Sequence, residues 1–355
     1  MTAPISWQPN ATADLVIRHL VEGRAVVLPS ESTYEVAVSG LRPEALAALP
    51  ANRAIVLGAG AELFDWMPHL RGAGARLMRK LGPGPVVLRA NGGFASGLWP
   101  RLPKETQAAV ARGGLLAVRW PNHPIWNELR QSGLPLVTAA IPGAVTAESA
   151  AKLVGKDDAV IVDGGATQYG GVPTVIRVEG GRCLVEQPGV LLQEQIDELA
   201  ACYTLFICTG NTCRSPLADA ICKKLVADEL GCSPDELKGR GFCVQSAGLA
   251  AMMGSDVSPD AAIVAADYGA DLTQHKSRMV TMEMLMWADH LFAMTHGHCY
   301  TLESILVEGM TLPRMLSPNM EDIADPIGGA LADYRTCAHQ IHACLQARLP
   351  EFLES

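Results

Sequence analysis

LFICTGNTCRSPLADAICKKL (residues 205–225) joins an apolar run to a helical pattern through a turn carrying two cysteines and an arginine. Tyr203 to Ile207 are apolar, aromatic and β-branched enough for a buried strand, with Cys208 at its end. Thr209, Gly210, Asn211, Thr212 and Cys213 then turn the chain into Arg214. Ser215-Pro216 reads as a helix start, Ser being a preferred cap and Pro a preferred first helical residue. Leu217, Ile221, Leu225 and Leu230 recur at helical spacing and supply the buried face. Strand, tight loop and helix in this order aim the loop N–H groups and the helix N-terminus at one point, which suits a phosphate dianion. A thiol at the strand end lies in that field, which favours the thiolate, the nucleophilic form of cysteine. Arg214 can grip two phosphate oxygens with its planar fork and follow them into the transition state.

Around this unit the α/β pattern continues: strands at 242–246 and 289–294, helices at 258–269, 281–288 and 328–348. On the residues of the loop the chain resembles the low-molecular-weight protein tyrosine phosphatase family, over about residues 203–350. The resemblance implies a parallel sheet flanked by helices, with no cofactor, no metal and a phosphorylated protein as substrate. It makes Cys208 the nucleophile of a phosphocysteine intermediate and Arg214 the phosphate clamp. Thr209, Gly210, Asn211, Thr212, Cys213 and Ser215 form the phosphate-binding loop, with Asn211 and Ser215 holding the loop and the thiolate by hydrogen bonds. SAG (246–248) and DLTQHKSR (271–278) match the family's supporting segments, which gives Ser246 and His275 roles behind the loop. DIADPIGG (322–329) carries the late Asp-Pro signature, so Asp325 is the expected proton donor to the leaving group, with Asp322 in reserve.

Two positions depart from the tyrosine-phosphatase pattern. Thr212 replaces the usual aliphatic loop residue, and Ile327-Gly328-Gly329 replaces the aromatic residues usual after Asp-Pro. CTGNTCRSP with DP-x-GG resembles the protein arginine phosphatase branch, which makes phosphoarginine the expected substrate and phosphotyrosine the alternative. Arsenate reduction, the other chemistry of such a fold, needs relay cysteines. Cys337 and Cys344 are seven apart in the last helix and read as packing residues instead.

The first half alternates short β-branched runs (25–29, 54–58, 85–90, 115–120, 134–140, 159–165 and 174–189) with helical stretches at 13–22, 43–49, 73–81, 104–112 and 124–131. The pattern predicts an α/β domain with a mixed sheet, its last run a hairpin broken at Gly180-Gly181. AVVLPSESTYEVAVSGL, KLGPGPVVL, AVRWPNHP, LPLVTAAIPG and VDGGATQYGGVPTVIRV follow in an order that resembles the YrdC-like family, the L-threonylcarbamoyl-AMP synthases of tRNA modification, over about residues 13–190. That resemblance implies a nucleotide or RNA ligand, double-stranded RNA included. The family's Lys-x-Arg pair is absent: LPANRAIV stands in its place, and the chain's first lysine is Lys80. Ala139-Ala140-Ile141 stands where Ser-Ala-Asn is usual, and Glu35 where glycine is usual. Arg53 and Arg119 are left as phosphate partners. A site stripped of most of its polar groups loses rate, so a degenerate fold kept for binding is expected, with a working bifunctional synthase as the alternative. The expected domains are 1–190 and 203–355, joined by a linker at 191–202.

Bulk properties agree with two globular α/β domains. Apolar residues make up 49% of the 355 and charged residues 18%, which excludes wholesale disorder. Residues 1–200 are charge-neutral and residues 201–355 carry the whole −9, so neither half has the basic footprint of an obligate nucleic-acid binder. MTAPISWQPN lacks the pattern of a signal peptide, and no window has the apolar length of a spanning helix, so a cytoplasmic protein with no membrane partner is expected. Its ten cysteines are then reduced thiols, and their spacings fit no usual zinc framework.

Overall fold

The strand predicted to end in Cys208 runs Cys202–Cys208 and lies inside a four-stranded parallel sheet. Its neighbours are Phe242–Gly248 on one side and His290–Ala293 on the other, with Arg314–Met315 beyond. In chain order the strands therefore stand 2-1-3-4, with the reversal of direction beside the first strand. In open α/β sheets ligands bind at the carboxyl ends of the strands at that reversal point. Cys208, the last residue of this strand, sits there.

Helices cover both faces. Arg214–Leu230, Pro259–Asp267 and Leu331–Leu353 pack Leu217, Ile221, Val264, Ile341 and Leu345 around Phe206 and Phe292. Met282–Trp287 and His296–Glu303 cover Leu205, Ile207 and Leu291 on the opposite face. Cys337 and Cys344 are buried in the first of these cores, as their spacing suggested. The long helix starts at Arg214 with Cys213 as its cap, two residues earlier than expected. Ser215 is thus inside the helix, and its hydroxyl is released for another partner.

The computed structural model describes residues 3–92, 97–154 and 159–353, so the extreme ends of the expected domains lie outside the described residues. The chain divides into two units, Met1–Ala200 and Ala201–Ser355. The segment 191–202 is not a linker. Gln193–Ala200 is a helix whose Ile196 and Ala200 are buried in the core of the first unit, because its apolar positions four apart form one stripe. Ala201 and Cys202 already lead into the first strand of the second unit.

The first unit is built on a mixed sheet of eleven strands among the described residues. At its centre Glu35–Ser39, Leu136–Ala140, Ala54–Val56, Leu115–Arg119 and Val86–Asn91 lie side by side. The hairpin Thr174–Glu179 and Arg182–Gln187 turns at Gly180 and Gly181, both at positive φ (56° and 76°), where side chains are disfavoured. The central strand Glu35–Ser39 falls outside the expected strands. Its first residue is a carboxylate, which breaks the apolar signal although all five residues are buried.

Candidate active site

The loop 209–213 is held by an asparagine in a conformation few residues adopt. Asn211 is fully buried with φ 55° in the left-handed region, where asparagine is among the few tolerated side chains. Its backbone N–H then points at Cys208 and donates to Sγ at 3.2 Å. Its side-chain amide donates to Ser215 Oγ (3.0 Å) and Ser246 Oγ (3.1 Å). Ser215 Oγ lies 2.9 Å from Cys208 Sγ. Having accepted from Asn211, Ser215 has one hydrogen to donate, with the sulfur at 2.9 Å and the Ala247 carbonyl at 3.3 Å as its acceptors. Ser246 in turn donates to Asp219 Oδ2 at 3.1 Å, and Lys223 pairs with the other carboxylate oxygen at 2.8 Å. The Asn211 N–H and the Ser215 hydroxyl face the sulfur, while the Ser246 and Lys223 donors end on Asp219.

The expected supports sit behind Asn211. His275 Nε2 donates to the Asn211 carbonyl at 3.0 Å, and the Arg278 N–H donates to Oδ1 at 3.0 Å. Burial holds the His275 imidazolium pKa below its ordinary value, so the neutral Nε2–H tautomer is the form that fits. Gly248 closes the SAG segment for a steric reason. A Cβ there would stand 2.5 Å from the Thr209 carbonyl oxygen and 3.0 Å from the Asn211 nitrogen, so only glycine lets the loop backbone lie on this strand.

Arg214 and Asp325 meet across the mouth of the loop. The guanidinium is buried and donates to Asp325 Oδ2 at 2.5 Å and to the Ile323 carbonyl at 3.3 Å, while the Asp325 carboxylate is 42% exposed. The side chains expected to clamp the phosphate and to supply the proton are therefore paired with each other. Asp322 is already committed: it accepts from the His296 N–H (2.8 Å) and Nδ1 (2.9 Å), contacts that hold its pKa below the ordinary carboxylate range. Asp322 is thereby occupied by His296, while Asp325 stands against Arg214.

Sequence reasoning missed three further groups. His298 is buried, with Nε2 2.9 Å from the Thr209 hydroxyl and Nδ1 3.0 Å from Thr295. Its signal was Thr295 three positions earlier, the capping pattern of the helix His296–Glu303. Asp219 lies four residues after Ser215, on the same helical face. Tyr334 accepts from the Ser258 hydroxyl (2.9 Å) and lies 3.6 Å from Cys213 Sγ, a contact no local pattern announces.

Of the two arginines expected as phosphate partners in the first unit, Arg119 is spent inside the protein and Arg53 stays partly exposed. Arg53 donates to the Leu49 and Pro50 carbonyls. Arg119 is fully buried and is paired with both Glu31 (2.6 Å) and Glu35 (2.9 Å). The reason is Glu35: the carboxylate standing where the resemblance has glycine neutralises the cation.

Residues 203–354 match the model of the family described as low molecular weight phosphotyrosine protein phosphatase. A protein-arginine-phosphatase of Geobacillus stearothermophilus is 34% identical over 155 residues, 42% of this chain and 95% of that protein. The low molecular weight protein-tyrosine-phosphatase PtpB of Staphylococcus haemolyticus is 30% identical over 138 residues, 38% of this chain and 89% of that protein. Among solved structures, a variant of Sua5 from P. abyssi aligns over 59% of this chain and 71% of its own, at 19% identity and a TM-score of 0.47. Through its second unit, the chain belongs to the low molecular weight phosphotyrosine protein phosphatase family.

Proposed function

We propose that the second unit hydrolyses phosphoarginine in proteins through a phosphocysteine intermediate. The observation that carries the chemistry is the hydrogen-bond chain converging on Cys208, with Arg214 and Asp325 paired beside it. Substrate phosphate displaces Asp325 from Arg214 and takes the loop N–H groups. Cys208 Sγ attacks phosphorus while the P–N bond breaks, its electron pair leaving on the guanidino nitrogen, which takes a proton from Asp325. Water then attacks the phosphocysteine and gives its proton back to Asp325, and the P–S bond breaks to restore the thiolate and release phosphate.

Arginine rather than tyrosine is supported by Thr212 and by the small residues after Asp325-Pro326. The Thr212 carbonyl accepts from the Ser258 N–H at 3.0 Å, so the residue is fixed. Among the described residues its hydroxyl has only Cys213 Sγ, at 3.6 Å, as a bonding neighbour, which leaves it able to accept from a guanidinium. Gly328 and Gly329 put no aromatic wall beside the mouth, where an aryl ring would want one. Cys208→Ser and Arg214→Ala should each reduce turnover below about a hundredth of wild type. Asp325→Asn should cost much less on an activated aryl phosphate, whose leaving group needs no proton, than on phosphoarginine. Steady-state kinetics on both substrates, with circular dichroism to check folding, tests this; substantial turnover by Cys208→Ser would overturn the covalent route.

For the first unit we propose a YrdC-like fold without synthase activity. The burial of Arg119 between two carboxylates and the apolar Ala139-Ala140 strand end support this reading.

A further inference from the structure

The first unit contains a cavity of about 240 Å³ on the face of the central strands. Its floor is small and apolar, with Ala54, Val87 and Val175. Asn52 and Gln187 stand at the rim, with Asn52 Nδ2 donating to Gln187 Oε1 at 2.7 Å, so these amides satisfy one another. Charge enters the wall only through Glu35 and Arg119 among the described lining residues.

Arg119 has nothing left to offer a ligand. Nε donates to Glu35 Oε1 (3.0 Å), one terminal nitrogen to the Gly84 carbonyl and toward Val86 O (3.5 Å), the other to Glu31 Oε1 (2.6 Å) and Ser32 Oγ (3.1 Å). All five N–H groups of a guanidinium are thereby spent inside the protein. Glu35 is different. Oε1 takes Arg119 and Oε2 takes the Thr138 hydroxyl at 2.9 Å, while a carboxylate has about four acceptor directions. Glu31, Glu35 and Arg119 are each under 5% exposed, so two carboxylates face one guanidinium out of contact with water. An uncompensated buried charge is costly unless a counter-charge is supplied.

We propose that this cavity binds a small organic monocation, an alkylammonium or alkylguanidinium, with its charged end on Glu35 and its apolar body on Ala54, Val87 and Val175. The volume lies below the range of drug-sized sites and suits a ligand of this size. A triphosphate or carboxylate would meet Glu35 head-on with no donor from Arg119 to offset it. The inference is independent of the phosphatase reading.

The test is calorimetric titration of the full-length chain with butylguanidinium, butylammonium and, separately, ATP with Mg²⁺. One of the two cations should bind saturably at one site per chain, with ATP neither binding nor displacing it from the first unit. Glu35→Gln should raise Kd at least tenfold. Ala140→Leu, which fills the cavity and removes no charged group, should do the same and covers the case in which Glu35→Gln misfolds by circular dichroism. Asp325→Asn should leave Kd unchanged, separating this cavity from the phosphatase site. Absence of saturable cation binding, equal Kd in wild type and Ala140→Leu, or ATP binding that Ala140→Leu abolishes would each overturn the proposal.

Discussion

At the residue scale, the active site depends on one side chain's backbone geometry. Asn211 at positive φ brings its N–H to Cys208 and its amide to Ser215 and Ser246 simultaneously, so one residue sets both the loop shape and the polarity around sulfur. The proposed preference for phosphoarginine is tested at the next position. Thr212→Ile keeps the β-branch, and with it the loop conformation, while exchanging a hydroxyl for an apolar arm. Losing a polar contact to a guanidinium costs about 1–3 kcal/mol, or roughly ten- to hundredfold in kcat/KM. An aryl substrate gains apolar contact from the same change, so the phosphoarginine to phosphotyrosine ratio of kcat/KM should fall in the variant. Equal loss on both substrates would make Thr212 a purely structural residue.

At the element scale, one helix and one loop hold the cradle from behind through neutral histidines. Burial lowers the pKa of both His275 and His298, and in the folded state each hydrogen-bonds the phosphate loop. The unfolded chain therefore takes up protons first as pH falls through about 6.5, and the folded unit does so only lower. The stability contributed by these histidines is complete above that pH and is lost on acidification toward the lowered folded values. The Tm of the second unit should fall between about pH 7 and pH 5, and the slope should shrink in a His275→Gln/His298→Gln double variant. An unchanged slope in the variant would assign the pH dependence to other groups.

At the scale of the whole molecule, each unit has its own sheet and its own core, and every residue of the phosphatase site lies within Ala201–Ser355. Residues 201–355 expressed alone should retain kcat/KM within about a factor of two of the full chain. A cut at 190 instead of 200 should destabilise the first unit, because it removes Ile196 and Ala200 from that core. The full chain given ATP, threonine and bicarbonate should release no threonylcarbamoyl-AMP above background; product detected by mass spectrometry would restore the bifunctional alternative.

What the sequence determined by itself was local. Cys208 to Arg214 and the Ser-Pro helix start are short-range patterns whose spacing implies strand, loop, helix and phosphate chemistry, while SAG and the late Asp-Pro are short motifs that carry the family resemblance. Tertiary structure decided the matters that depend on residues distant in the chain. Asp322 and Asp325 are three positions apart and chemically alike, and only folding sets one against His296 and the other against Arg214. Arg119 read as a phosphate partner because the YrdC-like resemblance of AVRWPNHP implies one there, and its surroundings are set only by folding. Glu31 and Glu35 lie more than eighty residues before it, and their convergence on its guanidinium turns that cation into the centre of a buried cluster with an excess of negative charge. Charge in a protein interior is a property of the neighbourhood, and a neighbourhood exists only after folding.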